Sequence, residues 1–179
     1  MASWHRNWFI REIDRHITTA GRRLIGWDEI LEGGLAQGAA VMNWRSTKGG
    51  VEAARQGHDV VMATNEYLYF NNYQAEPTAD EPLAIGGLIK LDKVFVYEPI
   101  PAELPAEYHQ HILGAQGQLW TEYIATMDQL EYMGFPRICA LSEVLWDKAG
   151  LKDLDDFRKR LVTHEQRLDV LHVHQSRVK

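Results

Sequence analysis

Cysteine is nearly absent: Cys139 stands alone among 179 residues. One thiol closes no intrachain disulfide and builds no multi-cysteine zinc site. No apolar run approaches the length of a membrane-crossing helix, so no membrane partner is expected. The opening, Met1-Ala-Ser-Trp-His-Arg-Asn7, lacks an apolar export core. As written the chain carries no signal peptide, and a cytoplasmic location is expected. An excess of basic charge is also missing. There are 19 Lys+Arg against 25 Asp+Glu, interspersed, for a net charge of −6. That excludes the electrostatic footprint of a nucleic-acid or anionic-membrane binder. Internal repeats and low-complexity tracts are lacking. Gly33, Gly34 and Gly38 occupy a connecting loop without phosphate-cradling spacing. His172 and His174 have a spacing that suits a metal, but residues 172–179 are expected to be a fraying tail. Neither a metal nor an organic cofactor is expected.

What is present is a core. Hydrophobic residues make up 45% of the chain, enough for a single domain over residues 1–179. Phe9, Ile10, Ile13 and Ile17 recur at helical spacing ahead of Gly21, a helix-ending glycine. Short apolar runs at 23–27, 39–44, 60–63 and 111–116 predict four strands, the first of them buried. Residues 47–56 predict a helix closed by Gly57. Residues 65–107 read as a long connection holding most of the prolines, a length usually tied to function. From Thr126 the pattern is helical, broken at Gly134-Phe-Pro136. A last amphipathic helix near Asp153 presents Phe157, Leu161, Leu168 and Leu171. Strands alternating with crossovers indicate an α/β fold with a parallel sheet. Four such strands leave two sheet edges to be covered or paired.

The densest motif is Gly114-Ala-Gln-Gly-Gln-Leu-Trp-Thr-Glu122. Read as a strand, it puts Trp120 and Glu122 on one face. An indole beside a carboxylate suits a sugar, whose apolar face stacks while its hydroxyls donate to the acid. Trp27, Trp44 and Tyr69 also come after apolar runs, at the strand ends where parallel sheets keep their sites. A single tryptophan at a strand end more often packs than binds sugar; four aromatics at equivalent places reverse that balance. Trp4, Trp8 and Trp146, on helices, read as packing.

Five ordered segments carry a family resemblance: Leu24 to Gly34, Met42-Asn-Trp-Arg45, Tyr69-Phe-Asn71 with Tyr73-Gln74, Gly114 to Glu122, and Ala140 to Asp147. Together they resemble the β-N-acetylhexosaminidases of glycoside hydrolase family 20. The match is to the second half of that family's barrel, strands five to eight preceded by the helix after strand four. The resemblance therefore implies half of a (β/α)8 TIM barrel. It also implies removal of terminal β-linked N-acetylhexosamine (GlcNAc or GalNAc) by substrate-assisted retention, with the substrate's acetamido oxygen attacking the anomeric carbon. Trp27, Trp44 and Trp120 are similar to the indoles that box the sugar. Tyr69 is similar to the tyrosine that donates to the acetamido oxygen, Asn71 to a residue beside the acetamide and hydroxyls, and Glu122 to the carboxylate holding the distal hydroxyls.

The family's catalytic Asp-Glu pair, at the end of strand four, has no counterpart here, nor has its strand-one arginine. Asp28 and Glu29 stand as candidates for the acid, although their context is that of strand five, where the resemblance gives such acids a supporting role. Two expectations result. Either two copies, or this chain and a complementary half-barrel chain, complete one barrel on an N-acetylhexosamine-containing glycan. Alternatively the chain is an inactive fragment or weak sugar-binding module.

Overall fold

Chain order and spatial order coincide in the sheet. Strands β1 (Ile25–Trp27), β2 (Ala40–Asn43), β3 (Val60–Met62) and β4 (Ile112–Ala115) lie side by side as β1-β2-β3-β4, all parallel. The computed structural model describes residues 3–147 and 152–177, with side chains from Trp8 onward. Trp4's side chain and residues 178–179 of the expected tail lie outside the described set. The remaining elements are α1 (Ser3–Thr19), α2 (Thr47–Arg55), α3 (Asn65–Leu68), α4 (Leu91–Phe95), α5 (Met127–Gly134), α6 (Arg137–Trp146) and α7 (Leu154–Val170). The chain divides into two compact units. One is Met1–Asn65 with Pro99–Gln116; the other is Glu66–Glu98 with Gly117–Lys179.

The first unit holds the parallel sheet that the short apolar runs predicted. Val41 and Val60 are fully buried, as β-branched residues on a central pleat should be. The register pairs Trp27 with Met42, Met42 with Val61, and Met62 with Ala115. Helix α2 buries Val51, Ala53 and Ala54 on the face it turns to β2 and β3. Gly57 closes it at φ +82°, its N–H donating to the Ala54 carbonyl at 2.9 Å. Two expectations of burial fail here. Ile25 of β1 is 48% exposed because β1 is an edge strand. Trp8 and Phe9 of α1 are also exposed, at 62% and 56%.

The second unit is built on helices. The connection 65–107 carries α3, α4 and the 3-10 turn Thr78–Asp80, so it is more ordered than its prolines suggest. Phe95 of α4 meets Phe157 of α7 at 5.0 Å between ring centroids. Leu161 and Leu168 extend that buried stripe along α7, while Leu171, just past its end, is exposed. Asp153 caps α7, accepting the Asp156 N–H at 3.0 Å. Trp146, read as packing, is 91% exposed. The segment after His172, expected to fray, is tied down as far as Arg177. Gln175 and Ser176 are buried, and the Ser176 N–H donates to the Phe135 carbonyl at 3.2 Å.

Candidate functional site

The sequence-derived candidates fall into two sets, one in each unit. In the first, β1 and β2 end side by side, so the residues after Trp27 meet those after Asn43. Past Trp27 the chain turns into a 3-10 helix, Asp28–Leu31, with Asp28 only 1% exposed. One Asp28 oxygen accepts the backbone N–H groups of Trp44 and Arg45, each at 3.2 Å. The other accepts Arg45 Nε at 2.6 Å. Glu29 receives the Trp44 indole N–H on both oxygens, at 3.1 and 3.2 Å. A second arm of Arg45 reaches Glu32 at 3.0 Å. The guanidinium pKa is raised by these bonds, first by Glu32 and then by Asp28. Both candidate acids are thus engaged in holding the Trp44-Arg45 segment.

The close fit continues beneath them. A Cβ on Gly49 of α2 would stand 2.7 Å from Asn43 Oδ1 and 3.4 Å from the Asp28 Cβ. Only glycine lets α2 approach the two strand ends so nearly. Asn43 itself is fully buried and donates to the Ser46 carbonyl at 2.6 Å. Trp27 and Trp44 are half-buried, leaving indole surface available for stacking.

In the second unit Tyr69 and Trp120 come together, with ring centroids 6.5 Å apart at 50°. Their backbones are fixed by a parallel bridge between Tyr69 and Gln118. The Phe70 N–H donates to the Gln118 carbonyl, and the Gln118 N–H to the Leu68 carbonyl, both at 2.7 Å. Gly117 makes this approach possible: a Cβ there would sit 2.5 Å from the Phe70 ring. Asn71 is 4% exposed, and its Oδ1 has no hydrogen-bond partner among the described residues. Trp120 is 40% exposed, and Glu122 is exposed too. The strand expected to carry Trp120 and Glu122 on one face ends at Ala115, and Glu122 lies in a bend. Strand alternation therefore does not relate these two side chains.

Arg45 and Arg137 received no role from the sequence. Arg45 directly succeeds a strand-end tryptophan, a place where a cation could have been suspected. Arg137, directly after Pro136 at the start of a helix, gives no such signal. No cluster of three or more metal-ligating side chains occurs among the described residues.

Each unit thus presents aromatic surface of its own: the half-buried indoles of Trp27 and Trp44 in the first, and Tyr69 beside the part-exposed Trp120 in the second. Residues 2–149 match the family model described as "Glycosyl hydrolase family 20, catalytic domain". A beta-hexosaminidase of Porphyromonas gingivalis is 46% identical over 166 residues, 92% of this chain and 21% of that protein. The human beta-hexosaminidase subunit beta is 25% identical over 90% of this chain and 27% of its own length. Among solved structures, a family-20 exo-β-N-acetylglucosaminidase from Vibrio harveyi in complex with N-acetylglucosamine superposes with a TM-score of 0.85 at 30% identity. The superposition covers 96% of this chain and 27% of that one. A Streptomyces coelicolor β-N-acetylhexosaminidase shares the fold at a TM-score of 0.84 and 23% identity, over 95% of this chain and 35% of that one. The chain spans about a fifth to a quarter of the length of the two curated relatives named.

Proposed function

The chain belongs to glycosyl hydrolase family 20, and from that membership we propose that it carries the sugar-binding part of an enzyme removing terminal β-linked N-acetylhexosamine. Trp27, Trp44 and Trp120 supply stacking faces. Tyr69 donates its hydroxyl to the substrate's acetamido oxygen as that oxygen attacks the anomeric carbon. Asn71 and Glu122 take sugar amide and hydroxyl groups. The observation that carries this reading is the fixed approach of Tyr69 to Trp120, 6.5 Å between centroids. A donor aimed at developing charge acts most strongly when its backbone is already held in place.

Asp28 and Glu29 act in this reading as supports for Trp44 and Arg45, which their hydrogen bonds favour. The acid then comes from a second half-barrel, either another copy of this chain or a complementary one. The outer edges of β1 and β4 have no partner strand among the described residues, and further parallel strands would add there. A sedimentation mass of one chain, 20.6 kDa, would count against the homodimer.

The test is hydrolysis of a chromogenic β-N-acetylglucosaminide, with Tyr69→Phe alongside. The expected result is turnover that falls about 10²–10³-fold in the variant, the usual cost of removing one such donor. The second reading, a binding module without catalysis, is favoured by the hydrogen bonds that engage Asp28 and Glu29 with Trp44 and Arg45. It predicts no turnover from folded protein, with N-acetylglucosamine still bound.

A further inference from the structure

Arg137 is fully buried, the first residue of α6, and no carboxylate among the described residues forms an ion pair with it. Its guanidinium serves four backbone carbonyls instead. Nη2 donates to Phe70 and Met133, both at 2.5 Å. Nη1 donates to Asn72 at 3.1 Å and to Ile89 at 3.0 Å. The guanidinium carbon lies 5.0 Å from the Phe70 ring centroid. Burial pushes its pKa down to about 9, against the opposing influence of Glu81 and Tyr132.

A buried charge of this kind is a poor way to gain stability, since apolar replacements of similar volume are often neutral or better. What it provides is geometry. A planar fork with five donors fixes several acceptors in one plane, which a lysine ammonium does not. Two of the acceptors, Phe70 and Asn72, bracket Asn71. Residue Phe70 is held on both sides, its N–H by Gln118 and its carbonyl by Arg137. The Asn72 N–H closes the segment on the Tyr69 carbonyl at 3.1 Å.

We propose that Arg137 is the positioning residue for Tyr69 and Asn71, setting through the carbonyls of Phe70 and Asn72 where the phenol and the amide stand. The sugar-contact roles of those two residues rest on the reading given under Proposed function. The clamp itself rests on the geometry alone, so the two can fail separately.

The experiment compares the parent chain with Arg137→Lys, Arg137→Met, Tyr69→Phe and the double variant Arg137→Lys/Tyr69→Phe. Affinities are measured by calorimetry for N-acetylglucosamine and for its thiazoline, which mimics the attacked acetamide. Amide exchange is followed in parallel. Arg137→Lys is expected to weaken the thiazoline about tenfold, the worth of one well-made hydrogen bond. N-acetylglucosamine should change less than about threefold, since stacking persists. In the Tyr69→Phe background Arg137→Lys should cost clearly less than in the parent, because its effect through the hydroxyl is gone and only that through Asn71 is left. Exchange at the Phe70 and Gln118 amides should quicken about tenfold or more, with Val41 and Ala63 of the first unit unchanged.

Equal losses for Arg137→Lys with and without the Tyr69 hydroxyl would overturn the proposal, as would unchanged exchange at Phe70 and Gln118. If the parent binds neither sugar, the sugar reading fails and exchange alone decides the clamp. Should Arg137→Met not fold, Arg137→Lys, which keeps the charge, carries the test.

Discussion

Asp28→Asn separates a carboxylate that holds structure from one that donates a proton. The substitution keeps shape and one oxygen. That oxygen can go on accepting the N–H groups of Trp44 and Arg45, each 3.2 Å away. The new amide then turns its own donors toward Arg45 Nε, where a charged bond of 2.6 Å stood. Losing a hydrogen bond to a charged group costs about 1.5–3 kcal/mol. No stranded cation adds to this, because the Arg45 side chain is 42% exposed and keeps Glu32. For a chain of this length about 2–4 °C of melting temperature goes with each kcal/mol. The expected drop is therefore about 3–12 °C in a thermal melt at pH 7. Because Asp28 is buried, added salt should shrink the difference only slightly. Glu29→Gln, which retains an acceptor for the Trp44 indole, should stay within about 0.5 kcal/mol of the parent. If Asp28→Asn melts within about 2 °C of the parent, the supporting role is wrong and the acid role returns.

Three other outcomes can be stated. Gly117→Ala drives a methyl to 2.5 Å from the ring of Phe70, which is 1% exposed and has no room to move. It should destabilise by about 1–3 kcal/mol in denaturant melts and weaken sugar binding by disturbing the Tyr69–Gln118 bridge. Gly134→Ala places its methyl 3.6 Å from Leu119, an ordinary contact at the end of α5, and should stabilise by up to about 1 kcal/mol in the same melts. Asp59 is held below the usual carboxylate range, first by Arg23 and also by His111. With the folded value below the unfolded one, its stabilisation is present above about pH 4 and fades as pH falls through the depressed value. Melting temperatures from pH 7 to about 2.5 should converge for the parent and Asp59→Asn at the acid end; a constant gap would refute the linkage.

The strands are legible in the sequence because their apolar runs are short and β-branched, bounded by turn residues. So is α7, with a capping Asp153 and Phe157, Leu161 and Leu168 in phase. Reading Gly114 to Glu122 as a strand fails after Ala115, where the bridge at Gln118 replaces continuous pairing. Nothing local in the sequence signals a single-residue bridge. Hydrophobicity alone assigns Trp8 and Trp146 to packing, but it does not say which helix face finds a neighbour. Motifs name the candidate residues, and the resemblance gives Asp28 and Glu29 a supporting role, but the partners they hold and the part played by Arg137 go unnamed. Asp28 bonds across 16 and 17 positions to Trp44 and Arg45, and Arg137 reaches across 67 to Phe70. Such partners leave no periodic trace in the chain.

That last separation has a consequence for how the protein is made. The Phe70 carbonyl leaves the ribosome 67 residues before the guanidinium that receives it. At about 5–20 residues per second, the wait is roughly 3–13 s. Meanwhile Pro99–Gln116 emerges and belongs to the other unit, where β4 completes the sheet. The nascent chain can therefore finish its four strands while Glu66–Glu98 is still without its anchor. In that interval the segment bearing Tyr69 is synthesised but unclamped, exposed to chaperones and proteases. The carbonyls of Phe70 and Asn72 thus gain their guanidinium partner only after the residues of all four strands have been synthesised.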